Sequence, residues 1–164
     1  MPIQRLFLTS LLLLTIALTS FCTNENAQKD SKKTNKGRTI DIISTLSFLD
    51  ESNNSKATIK IAVAQTEQQR NLGLMDVAQL GADEGMIFLF EKAQPLSFWM
   101  ANTPLPLDIF FVDEDSVIIR VHKNTQPYSN SQYGTEGQKA RYVVETNAGF
   151  STTFDIKEGD RIRF

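Results

Sequence analysis

Lys56-Ala-Thr-Ile-Lys-Ile-Ala-Val63 is apolar at every second position: Ala57, Ile59, Ile61 and Val63 share one face, Thr58 and Lys60 the other. A period of two is the mark of a half-buried strand, because successive side chains of extended backbone point to opposite sides. The signal continues along the chain. Met86–Phe90 (MIFLF), Ser97–Met100 (SFWM), Asp108–Val112 (DIFFV), Val117–Val121 (VIIRV), Arg141–Glu145 (RYVVE) and Arg161–Phe164 (RIRF) are short runs rich in β-branched and aromatic residues. Asp113-Glu-Asp115 reads as a hairpin turn, and Asn147-Ala-Gly149 and Glu158-Gly-Asp160 are further turn signals. One segment breaks the pattern. Thr66-Glu-Gln-Gln69 has the spacing of a capping box, and Gly73 stops the helix after about two turns. The expected fold is all-β, a compact β-sandwich or partly closed barrel with one or two short helices. Long βα alternation, a P-loop, a dinucleotide-binding glycine signature and internal repeats are all missing from the sequence.

At 164 residues the chain has room for one domain of ordinary size, and 41% hydrophobic against 22% charged residues is enough to bury a core. Seventeen Lys and Arg against nineteen Asp and Glu argue against a nucleic-acid binder, whose phosphate contacts need a basic excess. One His and one Cys exclude an internal disulfide and a His/Cys zinc site within a single chain. A Ser- or Cys-nucleophile relay would have to use His122. At a strand end beside Lys123, that residue reads better as an exposed or hydrogen-bonded histidine.

The first 21 residues read as an export signal. Arg5 provides the positive start, and Leu6–Leu18 form an apolar stretch shorter than the ~20 residues a spanning helix needs. Thr19-Ser20-Phe21-Cys22 follows and resembles a bacterial lipoprotein box, in which Cys22 would become the lipidated first residue. Phe21 stands where such boxes carry a small residue. Ordinary cleavage near Thr19 or Ser20, giving a soluble extracytoplasmic protein, is the alternative. Residues 22–38 contain almost no large apolar side chain and are expected to form a flexible polar tether. The first 38 residues carry +4, leaving −6 on the single β-rich domain expected over 39–164. The basic stalk has the charge to lie along anionic headgroups, but a solvated spacer is the plainer and preferred reading.

Five segments then occur in one order: Arg70-Asn-Leu-Gly-Leu-Met75, Gly85-Met-Ile-Phe-Leu-Phe90, Phe98-Trp-Met-Ala-Asn-Thr103, Pro106-Leu-Asp108, and Arg141-Tyr-Val-Val-Glu145 with Asn147-Ala-Gly149. Together they resemble the uncharacterised bacterial and archaeal family known as domain of unknown function 192, over roughly residues 57–164. The resemblance implies a compact β-sandwich whose relatives are often exported, and it supplies no chemistry. Asp76, Val77 and Ala101 stand where the family usually has aromatic or basic residues. An anion-binding role carried by that charge elsewhere in the family would be weakened here.

The candidate binding residues are Arg70, Trp99, Asn102, Thr103, Asp108 and Glu145. An aromatic ring, an amide, a hydroxyl and carboxylates on a proline-stiffened loop suit the wall of a ligand pocket, and Arg70 suits a carboxylate partner. The plainer reading puts Trp99 in the core and sets Asn102 and Asp108 to hydrogen-bonding turn backbone. Asp108 and Glu145 are the best pair for acid–base catalysis, which requires both to open to one cleft. Thioethers of Met75, Met86 and Met100 would suit Cu(I), but Met is also a core gap-filler. The polar stretch Asn124–Lys139 is long enough for a binding lid or a mobile loop. No cofactor is expected. The expectation is a membrane-anchored extracytoplasmic module that binds a small ligand, a peptide end or an envelope component. A carboxylate-dependent hydrolase using Asp108 and Glu145, and an interaction module with no pocket, are the alternatives.

Overall fold

The computed structural model describes residues 37–164. The leader, Cys22 and the tether up to residue 36 lie outside the described residues. Strands β1 (Ser44–Leu49), β2 (Ser55–Ala64), β3 (Glu84–Gln94), β5 (Leu107–Val112), β6 (Ile118–Thr125), β8 (Ala140–Asn147) and β9 (Arg161–Arg163) form one sheet in the order β6-β5-β8-β3-β2-β1-β9. Strands β4 (Ser97–Phe98) and β7 (Tyr133–Gly134) form a small second sheet, and α1 (Glu67–Leu72) and α2 (Phe150–Thr153) are short helices. The fold is mainly β. The edges of the large sheet meet at one Val117–Arg161 bridge, supported by Ile118 N–H donating to the Asp160 carbonyl at 2.8 Å. This leaves a partly closed barrel.

The period-two reading of β2 holds: Ile59 and Ile61, with Ala57 and Val63 beside them, pack inside the curl among Leu46, Phe48, Ile87, Phe110 and Val144. A second apolar layer lies on the outer face, where Ala62, Met86, Phe88, Ile109, Phe111 and Val143 meet Leu74, Val77 and Met100. Strand β5 is buried at all six positions because both of its faces are covered.

Other expectations need correction. Strand pairing ends at Phe98, so Trp99 and Met100 do not continue the strand read as SFWM. β2 and β3 pair in parallel, which requires a crossover, and α1 lies within it. The stretch Asn124–Lys139 is fixed against the motif loop: β7 pairs with β4, Met100 N–H donates to the Ser129 carbonyl at 3.0 Å, and Tyr128 N–H to that of Thr103 at 3.1 Å. Arg38, assigned to the tether, bridges to Val77 and donates from Nε to the Met75 carbonyl at 3.0 Å.

Candidate functional site

The site is built on the outer face of the sheet. Helix α1 begins at the expected box: Thr66 accepts from the Gln69 backbone N–H at 3.2 Å, and Gln69 Oε1 accepts from Thr66 N–H at 2.9 Å. The capped turn holds Arg70 over β3. Its Nη1 donates to the carbonyls of Gln65 at 2.6 Å and Leu89 at 2.9 Å, and its guanidinium carbon lies 4.9 Å from the Phe90 ring centroid. After α1, Gly73 turns the chain with φ +44° and Leu74 enters the core. A left-handed φ of this kind is easiest for glycine.

Opposite α1, Phe98 is held edge-on against Phe88 (5.0 Å between centroids) and Phe111 (5.8 Å). Trp99 follows outside the strand and is 52% exposed. It is a cleft-side ring, not a core residue. Between α1 and this segment lies a cleft of about 460 Å³, with Phe88, Phe90, Phe98 and Trp99 as its aromatic walls and Arg70, Thr103 and Glu145 joined by Glu67, Asn71, Gln94 and Ser97 as its polar groups. That volume falls in the ~300–1,000 Å³ range of small-molecule sites.

Glu145 lies in the cleft floor. In β8 it is aligned with Met86 of β3 and Ile109 of β5, so its carboxyl rises from an apolar layer. It is 4% exposed and takes no side-chain hydrogen bond or ion pair among the described residues; its oxygens are not among the sealed, unpartnered polar atoms, so the carboxyl opens to the cleft. Burial alone pushes its pKa up to about 8, so the carboxyl is mostly protonated at neutral pH.

Of the six binding candidates, Arg70, Trp99, Thr103 and Glu145 border this cleft, whereas Asn102 and Asp108 do not. Asn102 is exposed at φ +55°, and its carbonyl accepts from Asp76 N–H at 2.8 Å, so it shapes the turn. Asp108 is fully buried on the inner face. One oxygen accepts from Asn124 N–H at 2.8 Å; the other accepts from Ser151 N–H at 2.9 Å and Ser151 Oγ at 2.7 Å. The register pairs Ile109, not Asp108, with Glu145. Alternation therefore sends the two carboxyls to opposite sides of the sheet, and they share no cleft.

The remaining candidates are placed as follows. Met86 and Met100 are core residues, with Thr125 Oγ1 donating to the Met100 sulfur at 3.2 Å, while Met75 borders the cleft. Among the described residues no three His, Cys, Asp or Glu side chains converge on a metal position. His122 lies 2.8 Å from the Gly134 carbonyl through Nε2 and stacks edge-on with Phe111 and Tyr133, which fixes it in the packing. Phe88, Phe90 and Phe98 were not singled out from sequence. The signal available was their common parity: Phe88 and Phe90 share the outer face of β3 that the capped helix covers.

No curated protein matches the chain. Crystal structures to which it is similar include the following two. A candidate transcription regulator from Sinorhizobium meliloti 1021 is 30% identical with a TM-score of 0.71, covering 77% of this chain and 97% of that one. A protein of unknown function from Novosphingobium aromaticivorans DSM 12444 is 28% identical with a TM-score of 0.69, covering 82% of this chain and 99% of that one. Residues 49–164 match the model of domain of unknown function 192, described as an uncharacterized ACR. With most of its length inside that match, the chain belongs to the domain of unknown function 192 family.

Proposed function

We infer that the protein is a lipid-anchored extracytoplasmic binding module, tethered through Cys22, that holds a small ligand in the cleft between α1 and Trp99. The observation that carries this reading is a buried carboxyl, Glu145, without a protein partner beneath aromatic walls. A buried polar group is ordinarily hydrogen-bonded within the fold. One left unpaired at the base of a cleft is positioned to bond whatever enters it. Rigid aromatic walls supply apolar contact, and Thr103 and Arg70 restrict the ligand's orientation.

An amide-resolved NMR screen of a small-fragment library against the untethered domain tests the reading. Fragment-induced shifts gathered on Arg70, Phe88, Trp99 and Glu145 support it. A library without binders, or shifts gathered elsewhere, refutes it.

A further inference from the structure

The geometry points to a small organic cation as the occupant of this cleft: an ammonium group on an apolar body, paired with the Glu145 carboxylate and packed against Phe98 and Trp99. The inference rests on the binding-cleft reading above and specifies the ligand's chemistry.

Three observations favour a cation. The unpaired polar group in the floor is acidic, and its neighbours across the sheet, Met86 and Ile109, carry no charge. An ammonium would provide the missing partner and the compensating charge together. The walls are aromatic, and ring faces attract cations most strongly where water is excluded. The domain over 39–164 carries −6, which draws cations toward it.

An anion finds less. The Arg70 guanidinium is already engaged with two backbone carbonyls and with the Phe90 face. A bare metal ion is a poorer fit, because hard cations need several oxygen ligands and no acidic cluster assembles among the described residues.

The charged groups facing Glu145 across the cleft are Arg70 and Glu67, both from α1. The 96–99 segment, Gly73–Met75 and the cleft-lining residues of β3 bring none of their own, but Arg38 stands against Gly73–Met75 with its guanidinium on the Met75 carbonyl at 3.0 Å. Binding therefore carries a proton balance. The Glu145 carboxyl must ionise to pair with the ammonium, releasing one proton to the buffer, while the ammonium keeps its own.

Trp99 is the only tryptophan in the chain and borders the cleft, so its fluorescence reports occupancy. The probes are benzylammonium, the neutral benzyl alcohol and the anionic benzoate. Benzylammonium should bind at least about tenfold more tightly than either, and its affinity should rise about tenfold from pH 6 to pH 7 as proton competition falls. Its calorimetric heat should differ between phosphate and Tris buffers in proportion to the proton released. Glu145→Gln keeps the shape and removes the charge. It should erase the preference for benzylammonium while an unchanged thermal melt confirms folding. If benzyl alcohol or benzoate binds as well as benzylammonium in the wild-type protein, the cation assignment fails and the cleft survives as a binding site. If none of the three binds and the fragment screen is also empty, both fail.

Discussion

Glu145 makes a prediction that needs no ligand. Unfolding returns its carboxyl from a pKa of about 8 to an ordinary 4.5. Between those values the folded protein holds the extra proton, so stability must fall as pH rises through the window and level off above it. At 1.36 kcal/mol per pKa unit, the total loss is on the order of 5 kcal/mol. The other shifted groups titrate outside this window: Asp50 and Asp83 are held below 3.8, Lys56 and Lys60 above 10.5, and burial lowers the Arg38 guanidinium from its usual value. Urea midpoints followed by circular dichroism from pH 5 to pH 8 should slope downward in the wild type and stay nearly flat in Glu145→Gln. Parallel slopes in the two proteins would show that the Glu145 carboxyl is not desolvated. The residue was legible as a candidate, but its isolation was not. That depends on Met86 and Ile109 flanking it, and both are brought there by pairing partners distant in sequence.

At the scale of elements, local signals were reliable and non-local ones were not. The Thr66 capping box, the β2 alternation and the Asp113 turn all depend on residues within a few positions of one another. The parallel β2–β3 pairing depends on a crossover of nearly twenty residues, and no short window encodes it. Asp108 illustrates the consequence. From sequence it is the best carboxylate to set beside Glu145 as an acid–base pair, yet one step of register puts it inside, where its carboxylate binds β6 to the first turn of α2. Asp108→Ala therefore removes three hydrogen bonds and leaves the buried Ser151 N–H without its acceptor. The expected destabilisation is about 3 kcal/mol, read from the denaturation midpoint. Amide shifts of Arg70, Trp99 and Glu145 should barely move, because the sheet separates them from the change. Large shifts there, with little loss of stability, would reassign Asp108 to the cleft.

For the whole molecule, the tether and the cleft make separable demands. A lone cysteine after an apolar leader has no disulfide partner within the chain, and the proposed acylation would give it a use. Two acyl signals suffice for stable anchoring, whereas a single chain binds reversibly. The charge division, +4 before residue 39 and −6 after it, favours holding the stalk near anionic headgroups and the domain away from them. Arg38 is held to the domain, since its backbone bridges to Val77 and its side chain binds the Met75 carbonyl beside the cleft. Cys22→Ala, expressed with its leader in a lipoprotein-processing bacterium, should shift the protein from the membrane fraction to the soluble extracytoplasmic fraction. High-salt washing should fail to release the wild type, which separates acyl anchoring from attraction by the basic stalk. The soluble variant should bind cleft ligands with unchanged affinity, because the described domain carries the whole cleft. Persistence of Cys22→Ala in salt-washed membranes would mean that the apolar leader itself remains as the anchor.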